Sequence, residues 1–432
     1  MLFRSVSGAW SDAVLKDYMQ RAELDVRDAA LCTTLCYGVL QNLALLDYHI
    51  DSFLKGRKRI QPVLRDILRL AVYQLLFLDR VPDSAAVNEA VKQAKKQFGQ
   101  REANLVNALL RNLLREKDTL TLPKDYSIRY SHPASLVDLM KASAGKRLGA
   151  ILEADNSSPE TCAQWNPLRG DEHTLLEAWM EEGVRVTPHP WMAHGYLLRG
   201  TGSLQALPSF QKGLFQVQDA AARLSVQVLE LAGGMRVLDL CAAPGGKSLA
   251  AAMYMENEGR IIACDIHSGK LGEITASAER LGISIIETME NDASIFHSAW
   301  AGGFDVVIAD VPCSGLGVIR KKPDIRYRDP RALEALPPLQ GHILETAAEY
   351  VRPGGQMLYS TCTILKQENE EVVQGFLSGN PEFQPERLSL PEPLKEQQPG
   401  MLTLYQGIDG CDGFFLCRMR RKNRPGTAGR TE

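Results

Sequence analysis

RVLDLCAAPGGK at residues 236–247, followed by SLAAAMYM at 248–255, is the stretch whose reading decides the fold. A short apolar run suited to a strand leads directly into a glycine turn, and the turn into an apolar run of helix-forming residues. A strand, a glycine turn and a helix in immediate succession make a ligand-binding corner. Gly245 and Gly246 let the backbone approach a ligand closely, and a helix N-terminus favours negative charge. The next strand-like run, RIIACD at 260–265, ends in Asp265, twenty positions after Gly245, where a carboxylate can accept hydrogen bonds from a ribose diol. A phosphate-binding P-loop would need glycine where Cys241 stands, and the GxGxxG of a nicotinamide site is absent. A βα turn with no ligand is the remaining alternative, and a lone strand-end aspartate can also cap a helix.

Outward from this corner the same grammar continues. FDVVIADVP at 304–312 and GGQMLYSTC at 354–362 are further strand-like runs, separated by helical stretches. Strands alternating with helices predict an α/β domain with a mainly parallel sheet and crossover helices. In such sheets ligands bind beyond the carboxyl ends of the strands. Asp310, Pro312 and Cys313 follow one strand and Cys362 ends another, so both cysteines are expected on the rim that carries CAAPGGK.

The chemistry gives such a pair a purpose. Carbon 5 of cytosine is a poor nucleophile, but a thiolate added to C6 makes the ring enamine-like, and C5 can then attack an electrophilic methyl. Asp310 is placed to hydrogen-bond the N3 edge and stabilise the adduct. A second thiol or another base can help expel the first. A single cysteine at a strand end is more often small packing material. Two of them with Asp310 and a glycine loop reverse that balance.

The chain's 432 residues suggest two or three domains. Residues 1 to about 130 have the three- and four-residue apolar spacing of helices: Leu31, Leu35, Leu40 and Leu45 in one run, then Leu64, Ile67, Leu68, Ala71 and Leu75, then SAAVNEAVKQAKKQF and EANLVNALLRNLLREK. Between about 135 and 205, a helical stretch gives way to short β-like pieces such as VRVTP and YLLR, which predicts a small α+β connector.

Composition, with 45% hydrophobic and 23% charged residues, is that of a soluble globular protein, and a net charge of -3 leaves any nucleic-acid surface to local basic patches. KGRKR at 55–59, KQAKK at 92–96 and RKK at 320–322 are such patches; the last follows the Cys313 motif and is expected to meet phosphates at the site mouth. Nine cysteines without a regular framework fit a reducing compartment. Cys32 and Cys36 lack further ligands nearby and read as packing, as do Cys411 and Cys417, and His132 reads as a turn residue. The N-terminus lacks the apolar core of a signal peptide, and no apolar run reaches the roughly 18–20 residues of a membrane span. A cytoplasmic protein is expected, with no membrane and no metal.

Across CAAPGGK, DVPCSGLGVIRKKPDIRY (310–327), YSTCTILKQENEEVV (359–373) and GCDGFF (410–415), the sequence resembles the NOL1/NOP2/Sun family of RNA cytosine-5 methyltransferases. The resemblance implies a class I, seven-stranded, Rossmann-like fold and S-adenosyl-L-methionine as cofactor. It implies Cys362 as nucleophile and Cys313 as the thiol that assists product release, with Asp310 beside them. Cofactor contacts carry over to Cys241, Ala242, Ala243, Pro244, Gly245, Gly246, Lys247, Asp265, Asp292 and Asp310. RDAALCTTLCYGVLQNLALLDYHI, AAVNEAVKQAKK and LVNALLRNLLRE resemble a NusB-like helical domain, which points to 16S ribosomal RNA as substrate. The expected organisation is a NusB-like RNA-binding domain at 1–134, the connector at 135–205, the catalytic domain at 206–421 and a basic flexible tail at 422–432, acting as a monomer. Val311 and Cys411 stand where the family usually has Ala and Thr, and TCAQWNP at 161–167 replaces a more usual strand, which leaves the connector's RNA contacts open. The residues alone also allow a DNA cytosine-5 methyltransferase, which would use Cys313 as nucleophile, or a non-catalytic RNA-binding factor. The Cys362 motif and the NusB-like region argue against the first. The intact Cys313, Cys362, Asp310 and glycine loop argue against the second.

Overall fold

The computed structural model describes residues 11–54 and 60–423, so KGRKR at 55–59 and most of the expected tail lie outside the described residues. The chain divides into two compact units, Met1–Ser157 with Ile319–Pro330, and Ser158–Val318 with Arg331–Glu432. The division falls at 157/158, whereas the sequence pattern suggests boundaries after 134 and 205, and it gives a segment following Cys313 to the helical unit.

The first unit is helical. The run containing Cys32 and Cys36 forms two helices, Val26–Gln41 and Leu43–Phe53, bent by 78° at Asn42. Asn42 caps the first helix, its backbone N–H and its side-chain amide both donating to the Gly38 carbonyl. Leu40, Leu45, Leu64, Ile67, Leu68, Ala71 and Leu75 are buried, while Leu31 is 43% exposed and faces out of this core. Helices Pro62–Phe77, Asp83–Phe98 and Gln100–Glu116 complete the cluster, the last two meeting at Gly99 with φ 88°. Cys36 packs in this core.

Segment Ile319–Pro330 is built into the same unit. Arg326 is fully buried and donates from Nη1 to the carbonyls of Gln41 (2.9 Å), Tyr130 (3.3 Å) and Ser131 (3.3 Å) and to Asn156 Oδ1 (2.9 Å), and from Nη2 to the Asp155 carbonyl (3.2 Å). The Tyr327 hydroxyl donates to the Leu40 carbonyl at 2.6 Å. His132 is a core residue here, with Nε2 3.1 Å from Asp155 Oδ2.

The second unit carries two sheets. The smaller is antiparallel, in the order β2-β3-β1-β4, from β1 (Thr161–Trp165), β2 (Arg185–Pro188), β3 (Gly195–Arg199) and β4 (Phe215–Val217). TCAQWNP supplies β1 and then Asn166, whose buried amide donates to the carbonyls of Gly213 and Leu281 and fixes the strand's exit to a helix end.

The larger sheet contains β5 (Arg236–Asp239), β6 (Arg260–Asp265), β7 (Ile286–Glu290), β8 (Phe304–Asp310), β9 (Val351–Thr361), β10 (Phe383–Pro385), β11 (Met401–Leu404) and β12 (Phe414–Arg421). The order is β10-β12-β9-β8-β5-β6-β7, with β11 also on β12. Strands β7, β6, β5, β8 and β9 are mutually parallel and β12 is antiparallel to β9. The two faces are covered by separate apolar clusters, one holding Val237, Ile261 and Leu358, the other Leu238, Ile262 and Met357, which is why the central strands are apolar at successive positions. The order reverses between β5 and β8, which creates a crevice at their carboxyl ends.

Candidate functional site

The crevice holds a cavity of about 420 Å³, lined by loops from four strand ends. Cys241 and Ala243 come from the β5 loop, Asp265, Ile266 and His267 from β6, Asn291 to Ser294 from β7, and Asp310 and Pro312 from β8. Of the residues expected there from sequence, Cys241, Ala243, Asp265, Asp292 and Asp310 line it directly. Ala242, Pro244, Gly245, Gly246 and Lys247 do not; they shape the turn behind it.

That turn is fixed in detail. Gly245 sits at φ 99°, and a Cβ there would lie 3.0 Å from Ile274 Cγ1, so conformation and space both call for glycine. The Gly246 carbonyl accepts from Gln216 Nε2 and Gln218 Nε2, each at 3.0 Å. Asp239, fully buried at the end of β5, accepts from Ser248 Oγ at 2.7 Å. Burial pushes its carboxyl up to about 7, against the pull of that hydrogen bond.

Asp265 braces the cavity wall, accepting from the Ala243 amide at 3.1 Å and the His267 amide at 2.9 Å. Asp292 accepts from the Ser294 hydroxyl (2.7 Å) and amide (2.9 Å), and these two donors hold its carboxyl below the ordinary value. Asp310 is engaged on both oxygens, by Lys247 Nζ at 2.6 Å and by Ser360 Oγ at 2.7 Å. Lys247 is itself buried and lies 5.0 Å from the centre of the Phe414 ring. Three carboxylates around a cavity with Leu240, Ile266, Leu339 and Ile343 on its walls suit a ligand with a positive centre, hydroxyl and amine donors and an apolar ring. S-adenosylmethionine has those features, so the residues fit the cofactor that the motifs imply.

On the same rim the two cysteines meet, with Cys313 Sγ 3.2 Å from Cys362 Sγ. The hydrogen bond with Cys362 is the first cause, and burial the second, that push the Cys313 thiol far above its ordinary range, so Cys313 keeps its proton at neutral pH. Ser360, Glu368, Gln340 and Thr363, none singled out by sequence, also belong to this centre. Ser360, Thr363 and Glu368 lie inside the YSTCTILKQENEEVV motif, but their partners are 28 to 54 residues away along the chain, a pairing for which periodicity carries no signal. RKK at 320–322 falls in the segment grouped with the helical unit, where the Arg320 carbonyl accepts from Gln41 Nε2. Among the described residues, no group of three or more His, Cys, Asp or Glu side chains converges as metal ligands, and no single helix is long and apolar enough to cross a membrane.

The strand order, the glycine loop and the carboxylate-lined cavity at the reversal define a class I S-adenosylmethionine-dependent methyltransferase. Residues 226–420 match the family described as 16S rRNA methyltransferase RsmB/F, residues 1–115 the NusB family, and residues 132–205 the ferredoxin-like domain of RsmF/B-like methyltransferases. The chain is 35% identical over 428 residues to the probable ribosomal RNA small subunit methyltransferase B of Bacillus subtilis, covering 96% of this chain and 95% of that protein. It is 35% identical over 406 residues to ribosomal RNA small subunit methyltransferase B of Vibrio cholerae, covering 92% and 90%. Among solved structures, a methyltransferase homologue from Pyrococcus horikoshii superposes with a TM-score of 0.61 at 27% identity, over 69% of this chain and 98% of that one. The chain belongs to the ribosomal RNA small subunit methyltransferase B family.

Proposed function

We propose that the protein methylates C5 of one specific cytosine in 16S ribosomal RNA, the cytosine at position 967, through a covalent bond between Cys362 and C6. The observation that carries this reading is the 3.2 Å thiol pair on the strand-end rim where Asp310, paired with Lys247, lines the cavity. S-adenosylmethionine supplies an electrophilic methyl group. Asp265 would accept from its ribose hydroxyls and Asp292 from its exocyclic amine, with Cys241 and Ala243 against it and the rest of the turn to Lys247 shaping the wall behind.

The Cys362 thiolate attacks C6 of the base, and the electron pair displaced from the C5–C6 bond makes C5 nucleophilic. Asp310 would face the N3 edge, with the Lys247 ammonium 2.6 Å from it available to balance the charge that develops. After C5 has gained its methyl group, a solvent base takes the C5 proton, the C5–H electron pair re-forms the C5–C6 double bond, and the C6–S bond breaks to expel Cys362 as thiolate. Cys313, holding its proton 3.2 Å away, can donate to the departing sulfur. The NusB-like region, expected at 1–134, positions the RNA, with Lys92, Lys95 and Lys96 exposed on one helix as phosphate contacts. The protein acts as a monomer in the cytoplasm, where its substrate is made.

The test is a denaturing gel with labelled RNA. Cys362→Ser abolishes turnover and forms no adduct, because a serine hydroxyl stays protonated near neutral pH. Cys313→Ser forms the adduct and fails to release it, giving a shifted band. The opposite pattern would assign the nucleophile to Cys313, and turnover by both variants without any band would end the covalent reading.

A further inference from the structure

Each cysteine is bracketed by hydrogen bonds to the residues on either side of it, and both brackets end on one buried dipeptide, Glu368–Asn369. Before Cys313, the Pro312 carbonyl accepts from Gln340 Nε2 at 3.0 Å. That same nitrogen donates to Glu368 Oε2 at 2.9 Å. After Cys313, the Ser314 amide donates to the same oxygen at 2.8 Å. Before Cys362, Thr361 Oγ1 donates to Asn369 Oδ1 at 2.6 Å; after it, Asn369 Nδ2 donates to the Thr363 carbonyl at 3.0 Å. Ser314 Oγ to Thr363 Oγ1, 2.8 Å, ties the two brackets together. Glu368, Asn369, Ser314, Gln340, Thr361 and Thr363 are all fully buried, so water does not substitute for these contacts.

We infer that Glu368 and Asn369 are positioning residues that set the separation of the two catalytic thiols. A buried carboxylate with no basic partner among its hydrogen bonds is costly unless its geometry is used. Here Glu368 Oε2 gathers two donors that flank Cys313, while Oε1 is buried with no hydrogen-bond partner among the described residues. A nucleophilic thiol and the thiol that must protonate it as it leaves need this kind of fixed span, since a misplacement of about 1 Å can cost roughly 10²-fold in rate. The inference rests on the proposed roles of Cys362 and Cys313 for its meaning, but not for its geometry.

The experiment reads the span directly. Diamide takes two electrons and two protons from the thiol pair, is itself reduced to the hydrazine, and leaves a Cys313–Cys362 disulfide that is counted by mass spectrometry of the joined peptides. It needs no RNA and no methyl transfer. Glu368→Ala slows this trapping at least about tenfold and single-turnover methylation about 10²-fold, with affinity for S-adenosylhomocysteine unchanged. Glu368→Gln restores both to within about threefold, because the amide oxygen accepts the same two donors and the amide nitrogen takes the place of the unpartnered oxygen. Ser314→Ala removes only the cross-tie, slows trapping about threefold and decides the matter if Glu368→Ala does not fold. Wild-type trapping rates in Glu368→Ala, or in Ser314→Ala where that variant alone is soluble, overturn the inference. So does Glu368→Gln trapping as slowly as Glu368→Ala, which would assign the effect to charge. Absence of the shifted band in Cys313→Ser with labelled RNA would sink the proposed mechanism and leave the trapping result standing.

Discussion

Replacing Asp265 with alanine should weaken cofactor binding and loosen the loop that forms the cavity, and the two effects can be separated. The carboxylate accepts from the Ala243 amide at 3.1 Å and the His267 amide at 2.9 Å. Hydrogen bonds to a charged acceptor contribute about 1.5–3 kcal/mol each when the donors are then left dry. The two bonds share one acceptor group and are not independent, so a net stability loss of about 1–3 kcal/mol is expected rather than the sum. The ribose contact contributes a further 1–3 kcal/mol, about 5- to 150-fold in affinity. Calorimetry with S-adenosylhomocysteine, which binds without reacting, measures the second term, and urea denaturation without ligand measures the first. Asp265→Asn keeps one acceptor oxygen and should fall between wild type and alanine on both scales. Unchanged affinity in a variant with the expected stability loss would reduce Asp265 to a loop brace. Unchanged stability would show that its two amide contacts contribute nothing.

Two further outcomes follow from buried groups. Arg326→Met leaves the carbonyls of Gln41, Tyr130, Ser131 and Asp155 without their donor and should cost about 2–4 kcal/mol in urea denaturation; a loss below about 0.5 kcal/mol would mean water replaces the guanidinium. Asp239 binds its proton up to about 7 when folded but only to 3.8 as its ordinary value, so wild type loses stability as pH rises from about 4 through about 7. Asp239→Asn should lack that loss, making the variant gain on wild type between pH 5 and pH 8 by denaturation; a gap that does not change with pH would place the Asp239 proton elsewhere.

Strands that are buried on both faces were legible from composition. RIIACD, FDVVIADVP and GGQMLYSTC all became central strands because both clusters of the core demand apolar side chains at successive positions. The edge strand β7, IETME, carries three exposed residues among five, and its pattern resembles a polar loop. β12 ends in the basic run RMRR, immediately before the expected tail at 422–432. Arg418 is nevertheless buried, donating to the Val228 carbonyl at 2.7 Å and paired with Glu386. The apolar run around Cys32 divides into two helices at Asn42, a break that apolar spacing alone does not mark. At the site, motif spacing was enough to gather Cys313, Cys362, Asp310 and the glycine turn on one rim. The pairing of Lys247 with Asp310, and the dipeptide that spans the thiols, depend on contacts between distant strand ends that only the folded sheet brings together.

Placing Ile319–Pro330 inside the helical unit has a consequence for the order of events during synthesis. The helices up to Ser157 emerge from the ribosome well before the residue that fills their centre, since Arg326 follows about 170 residues later, roughly 10–35 s at 5–20 residues per second. Through that interval the carbonyls of Gln41, Tyr130 and Asp155 stay solvated, and the nascent unit is incomplete however favourable its local helices are. Its closure waits until the strand carrying Asp310 and the loop carrying Cys313 have been translated. The last piece of the helical unit therefore arrives together with the first of the two thiols, and a chain terminated before residue 326 would lack both a finished helical unit and a complete thiol pair.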